Sequence, residues 1–346
     1  MHGAMRATEY ADPTAMHSPR TARMRKVVID TDGGIDDAVA IWWAVTNTDL
    51  DVVGISTVWG NVALDVATAN VFRVLEAAGR TDIPVALGVE RAIARAPIMR
   101  PADFVHGTDG LGNTNRPTAA VCTTMTLAEL WQGPAVSAEV LVTLGPLSTV
   151  ATALELSVIP TSGIQLVTMG GTVAAPGNAL PAAEANIAHD PTAAAAVLSA
   201  RWSQPPLLVG LDVTHRATFT APEIALVEAQ GNAPARWLAE PLRFYRNGGS
   251  AFVPEGESPC HDLLAIMAAA LPDLVSGPVL PVAVQCEPGP AWGMTVADRR
   301  GLVRAVAPTG IADQPTPPGF SDVRVALDVD VERFRRGLVA MFSATR

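Results

Sequence analysis

The sequence predicts an α/β protein: an open, mostly parallel twisted sheet with helices on both faces, folded as a single domain. Three observations carry that expectation. Short apolar runs rich in Val and Ile alternate with alanine-rich stretches of helical length. Residues able to do chemistry cluster directly after those runs. The chain has 346 residues, 49% hydrophobic and 17% charged, which suffices to bury a substantial core.

The first apolar run, 27–29, precedes a helix expected over about 36–46 and a strand over 52–58. A helix over about 64–78 and a strand at 85–87 follow. Later strands are expected at 140–144, 165–169 and 207–209, with helices near 148–156 and 192–200. Alternation at this spacing means a parallel sheet covered on both faces and joined by right-handed crossovers. Ligands of such sheets bind beyond the carboxyl ends of the strands. The chain meets that demand. Residues 30–37 follow the first run, Trp59-Gly60-Asn61 the second, Gly145-Pro146 the run at 140–144, and Gly170-Gly171 the run at 165–169.

Residues 1–24, rich in Met, Ala, Arg, Thr and Pro, lack the continuous apolar core of a secretory signal. They are expected to form a disordered extension, leaving 25–346 as the domain. The proline-rich stretch 313–318 reads as a loop. A net charge of −10 argues against nucleic acid as a partner. No uncharged apolar stretch is long enough to be a membrane span. Three widely spaced cysteines, Cys122, Cys260 and Cys286, suit a reducing cytosol better than a disulfide framework, so the expected location is cytoplasmic.

Four aspartates fall within eight residues, Asp30-Thr31-Asp32-Gly33-Gly34-Ile35-Asp36-Asp37, where the first strand ends and a helix begins. Like charges this close repel unless a cation sits among them or some stay protonated. Neither Lys nor Arg lies between Lys26 and Arg73 in the sequence. A divalent metal is the economical answer, and all-oxygen donors indicate a hard ion such as Ca²⁺ or Mg²⁺. A plain helix cap accounts for Asp36 or Asp37 but poorly for all four.

Further motifs follow in order: Gly60-Asn61, His106-Gly107-Thr108-Asp109-Gly110-Leu111-Gly112, Leu144-Gly145-Pro146-Leu147, Met169-Gly170-Gly171, and Gly177-Asn178. After these come Ala183-Glu184-Ala185-Asn186, Asp190-Pro191, His261-Asp262 and Gly293-Met294-Thr295-Val296-Ala297-Asp298. With its D-x-D-x-G-x-D-D opening, the chain resembles the inosine–uridine-preferring nucleoside hydrolases from about residue 25 to the end. One departure stands out: Gly33 occupies the place of the family's usual proline, which suggests a looser metal loop.

The resemblance implies Ca²⁺-dependent hydrolysis of ribonucleosides to ribose and free base. It implies metal ligation by Asp32, Asp37, Asp262 and the Leu144 carbonyl, with Asp32 also the general base for a metal-activated water. Asn61 matches a position beside Asp32 and that water, and Asp30 a supporting one. Asp36, Glu184 and Asn186 match positions bonded to ribose hydroxyls, and Asn178 one near the 5′ end. His261 and His106 match histidines near the base. Both are candidates for protonating the leaving group, with His261 preferred because its neighbour Asp262 carries it to the metal. Phe244 and Tyr245, in what reads as a loop-rich segment, are candidates for aromatic contact with the base. Relatives of this kind lead us to expect a homodimer or homotetramer. Purine, pyrimidine and modified bases all remain open.

Several polar residues read as structural. Asp190-Pro191 looks like a helix cap with proline at the first position, which leaves His189 out of the site. His2, His17 and His215 read as surface residues, and Trp42 and Trp43 as core. Two rival functions use part of the same residues. A haloacid-dehalogenase-type phosphatase would use Asp30-Thr31-Asp32, but it expects Thr or Val where Gly34 stands and has no use for Asp36-Asp37. A catalytically lapsed nucleoside or sugar binder would need fewer of these groups intact.

Overall fold

Ten strands form one sheet in the order β12-β11-β13-β7-β6-β5-β1-β2-β3-β4 in a computed structural model that describes residues 24–47, 49–94, 102–248, 252–303 and 315–343. The chain runs through β1 (Arg25–Thr31), α1 (Ile35–Thr46), β2 (Leu50–Thr57), α2 (Leu64–Ala77) and β3 (Val85–Ala86). Next come α3 (Asp103–His106), β4 (Thr124–Met125), α4 (Leu127–Gln132), β5 (Val140–Thr143), α5 (Ser148–Glu155) and β6 (Gln165–Met169). The middle holds α6 (Ala185–His189), α7 (Pro191–Ser199), β7 (Leu207–Val209), α8 (Leu211–Thr214), β8 (Thr218–Phe219), α9 (Ala221–Gln230) and α10 (Ala233–Gly248). The remainder is β9 (Ser258–Pro259), α11 (His261–Ala270), β10 (Val275–Ser276), β11 (Val279–Val284), β12 (Thr295–Ala297), β13 (Ser321–Val325), β14 (Asp328–Val329) and α12 (Val331–Ser343).

Within this sheet β11 pairs antiparallel with β12 and β13, and the other pairs are parallel. The α/β architecture expected from the sequence is therefore present. Every strand and helix expected up to residue 209 appears, with ends shifted by two residues at most. Antiparallel β11 and helices α9 to α12 had no counterpart in the sequence reading.

Order along the sheet decides where a ligand can sit. The chain builds outward from β1 through β2 and β3 to β4, then returns to β5 on the other side of β1 and builds outward again. The connections diverge between β1 and β5, opening a crevice at their carboxyl ends. The apolar run 27–29 at the centre of β1 is buried on both faces, as a central parallel strand should be.

One apolar cluster packs α1, α2 and the helices α9 to α12 on one face, and a second packs α4, α5 and α7 on the other. Trp42 and Trp43 are core residues as expected, and the Trp43 indole N–H donates to the Gly337 carbonyl of α12 at 3.2 Å. Residues 1–23, with His2 and His17, and 313–314 of the proline-rich stretch lie outside the described residues.

Phe244 and Tyr245 belong to α10, a 16-residue helix, and not to a loop. Pro241 inside that helix explains the discrepancy, because a proline normally marks a break.

Candidate active site

Asp30 is buried one residue before the end of β1, in register with Ser56 on one side and Thr143 on the other. The Ser56 hydroxyl donates to Asp30 Oδ1 at 2.5 Å, while Oδ2 has no hydrogen-bond partner. Burial, helped by the nearby Asp37 charge and opposed by the Ser56 bond, pushes the Asp30 carboxyl up to about 8.

Asp32 is gripped by one residue. The Asn61 backbone N–H donates to Oδ2 at 2.8 Å and its side-chain amide to Oδ1 at 3.0 Å. Two glycines make room for this carboxylate. A Cβ on Gly60 would lie 2.1 Å from Asp32 Oδ2, and one on Gly145 2.9 Å from Asp32 Cβ.

Asp37 caps its own helix: Oδ2 accepts from the Gly34 N–H at 2.8 Å, and the Thr31 hydroxyl donates to Oδ1. Asp36 is also buried. Its Oδ2 is 3.4 Å from the Tyr245 hydroxyl, and its Oδ1 has no hydrogen-bond partner.

The Gly33 loop is tied and not loose. Gly33 donates to Thr31 Oγ1 at 3.3 Å and accepts from the Asn70 amide at 2.9 Å. Its φ is +70°, in the left-handed region, and an added Cβ would sit 2.6 Å from Ala67 Cα. Proline cannot adopt that φ, so glycine is what this backbone path requires.

Carboxylate oxygens of Asp36, Asp37 and Asp262 lie within 4.8 Å of one another, all three residues buried. The Asp37 carboxylate also lies against those of Asp32 and Asp262. Burial first and mutual repulsion second push Asp32 and Asp262 well above the usual carboxylate range and Asp36 to about 8. Such a cluster needs protons or a cation, and its all-oxygen donors suit a hard divalent ion. The unpartnered Asp36 Oδ1 is consistent with that demand. The sequence-derived ligand set, Asp32, Asp37, Asp262 and the Leu144 carbonyl, overlaps this group, since Asp32 also lies against Asp37 and Asp262. In the structure Asp32 engages Asn61, and the Leu144 carbonyl accepts from the Asn186 amide at 2.7 Å.

The far wall comes from α6. Glu184 is its N-cap: Oε1 accepts from the Asn186 N–H at 2.9 Å, and Oε2 from those of Gly171 at 2.9 Å and Ile187 at 3.2 Å. Burial outweighs these bonds and raises its carboxyl to about 7. Asn178 is exposed and accepts from the Ala185 N–H at 3.0 Å, which places it at the same helix end.

Two histidines approach from other elements. His106 is buried at the end of α3, where Nδ1 accepts the Ile35 N–H at the start of α1 at 3.2 Å. That bond leaves the proton of the neutral ring on Nε2. Nδ1 is also 3.9 Å from Asp36 Oδ1, and Tyr245 packs on the ring with centroids 5.5 Å apart. Burial lowers His106 to about 4 despite the Asp37 charge. His261 opens α11, with Asp262 next to it, and its Nδ1 lies 2.7 Å from the Thr214 hydroxyl. Burial, then the neighbouring histidines, lower it to about 3.

A crevice of carboxylates, amides and two histidines at the sheet's switch point matches what the comparisons show. The model of the inosine–uridine-preferring nucleoside hydrolase family matches residues 27–336. The chain belongs to this family. A probable uridine nucleosidase 2 of Arabidopsis thaliana is 36% identical over 316 residues, covering 88% of this chain and 94% of that protein. The inosine–uridine-preferring nucleoside hydrolase of Leishmania major is 31% identical, covering 80% of this chain and 88% of that protein. Among solved structures, a plant nucleoside hydrolase superposes with a TM-score of 0.82 at 31% identity, covering 93% of this chain and all of that one. The protein is thus a hydrolase acting on the N-glycosidic bonds of ribonucleosides, and the phosphatase alternative falls away.

Most residues singled out in the hydrolase sequence converge here, although Asn178 stays at the exposed rim. His189 is buried, its Nδ1 2.6 Å from the Ala185 carbonyl, and Asp190 caps α7 with Pro191 at the first position, as expected. The Trp59 indole is committed to the Ser148 hydroxyl at 3.2 Å. His215 is not the isolated surface residue expected. It is half-buried, lies flat on Phe252 and meets His261 edge-on, with centroids 5.3 and 5.9 Å apart. Thr214 and His215 stand five and six residues beyond the run 207–209, at the end of α8, and no motif in the sequence marks their contact with His261.

Proposed function

We propose that the protein hydrolyses ribonucleosides to ribose and free base with Ca²⁺ held by Asp32, Asp37, Asp262 and the Leu144 carbonyl, and with Asp32 also as general base. The observation that carries this reading is the buried group of four carboxylates with Asp32 clamped by Asn61. When bound, a calcium ion would neutralise the cluster, anchor ribose hydroxyls and acidify a water.

The remaining roles follow from the residues themselves. Asp32 takes the proton of the water attacking the anomeric carbon, its carboxylate aimed by the two Asn61 hydrogen bonds. Glu184, Asn186 and Asp36 offer the acceptors and donors that sugar hydroxyls need, with Asn178 at the rim. An analogue lacking a hydroxyl would leave one of these groups desolvated and unpaired, so ribose is preferred over deoxyribose. As negative charge builds on the departing base, His261 supplies an N–H from Nε2, the ring nitrogen not bonded to Thr214. His106, its Nδ1 already occupied, offers a second neutral N–H donor. Tyr245, packed on His106, borders the base side.

The acting protein is proposed to be a cytoplasmic homodimer or homotetramer serving nucleoside catabolism and salvage, with residues 25–346 as its one domain. A panel of nucleosides assayed for reducing sugar tests the reading. Wild-type protein with calcium should release ribose, and Asp32→Ala should release none while keeping its circular dichroism spectrum. A wild type that binds nucleosides without turnover would mark a lapsed binder, and parental turnover by D32A would remove Asp32 from the mechanism.

A further inference from the structure

We propose that Thr214 is a positioning residue that holds His261 in the tautomer with its proton on Nε2, ready to face the leaving base. The proposal rests on His261 being the donor to that base. Thr214 ends α8, the single helical turn that follows β7, and is fully buried. Its hydroxyl lies 2.7 Å from His261 Nδ1, 47 residues further along the chain.

Chemistry makes a hydroxyl the apt partner. In the role proposed for it, the hydroxyl donates to the Nδ1 lone pair of the neutral ring, which leaves the ring proton on Nε2. If the ring passes through its cationic form, the same oxygen accepts from Nδ1–H without moving. A backbone carbonyl in that place would pin the proton on Nδ1 and turn an acceptor towards the substrate. A carboxylate would add charge to a crevice already crowded with carboxylates.

A second contact comes from the next position. The His215 ring meets the His261 ring at 64° with centroids 5.9 Å apart, and is itself backed by Phe252 at 4°. One dipeptide after β7 therefore fixes His261 both in its plane, through the hydrogen bond, and against rotation, through ring packing.

The test compares two leaving groups. A purine or pyrimidine needs a donor as it departs, whereas p-nitrophenolate leaves p-nitrophenyl riboside without one. Thr214→Val keeps the volume of the side chain and removes the hydroxyl. On inosine and uridine its kcat should fall on the order of 10- to 100-fold with KM within about threefold, as expected for losing a well-placed donor. On p-nitrophenyl riboside the loss should be at least tenfold smaller, and Thr214→Ser should recover most of the nucleoside activity. Equal losses on both substrates, or parental nucleoside activity in T214V, would overturn the proposal.

His261→Ala is the control. If H261A treats the two substrates alike, His261 is not the donor and the underlying reading fails with the proposal. If only T214V does so, the failure belongs to Thr214. Wild-type protein inactive on both ribosides would overturn the hydrolase mechanism itself.

Discussion

Asn61 holds both oxygens of Asp32, one through its backbone N–H and one through its side-chain amide, at 2.8 and 3.0 Å. The two residues come from neighbouring parallel strands, Asp32 just after β1 and Asn61 four residues after β2. The sheet sets the pairing, and the glycine before Asn61 allows the backbone to approach. A hydrogen bond to a carboxylate contributes about 1.5–3 kcal/mol. Asn61→Ala removes only the side-chain half, so kcat should drop roughly 10- to 100-fold. Steady-state kinetics on inosine and uridine, with circular dichroism as the folding control, measure this. A kcat within twofold of wild type would show that Asp32 does not depend on being held.

Protons and a cation should compete for the same carboxylates. Asp30 and Asp36 sit at about 8 and Glu184 at about 7 in the folded chain, all raised mainly by burial. A carboxyl raised on folding adds stability below its unfolded value, and that contribution disappears as pH rises through the folded value. The buried His106 and His261, lowered to about 4 and about 3, work in the opposite direction. Their contribution is present above an unfolded value of about 6.5 and fades below it. Between about pH 6.5 and 8, therefore, the carboxylates act alone. Chelated protein should melt at progressively lower temperature across that window. Calcium should raise the melting temperature, and by more at pH 8 than at pH 6.5. Scanning calorimetry with EDTA or calcium decides the matter. A calcium effect independent of pH would mean that the ion does not replace protons on this cluster.

Strands β1 to β3 and β5 to β7 were legible because parallel strands near the centre of a sheet are short apolar runs, as at Val27-Val28-Ile29, whereas the two-residue β4 was not. The acidic loop was legible because four aspartates cannot all be explained as caps. Other features depended on contacts between distant segments. Nothing near Thr214 in the chain announces His261, 47 residues away, and their bond exists only because α8 and α11 meet at the crevice. Helix α10 was hidden by its own Pro241. That Asn61 holds both oxygens of Asp32 was likewise invisible in the D-x-D spacing.

Gly33 gives the sharpest contrast between residue type and backbone. Replacing it with the family's usual proline looks stabilising, since proline restricts the unfolded chain and is worth about 0.4–1 kcal/mol where it fits. Here it does not fit. Proline holds φ near −65°, against +70° at Gly33, and it would delete the N–H that reaches Thr31 Oγ1. Thr31 in turn donates to Asp37, and the Gly33 carbonyl takes the Asn70 amide, so rerouting this residue disturbs the start of α1. Gly33→Pro should therefore lower stability by more than about 1 kcal/mol, or roughly 2–4 °C in melting temperature. Calcium affinity should fall along with it, because Asp32 and Asp37, on either side of the turn, are displaced together. Thermal melts and calcium titration calorimetry of G33P read both effects. A variant that melts higher and binds calcium more tightly would show that the loop accepts the proline path, and that the left-handed turn at Gly33 is no requirement of the fold.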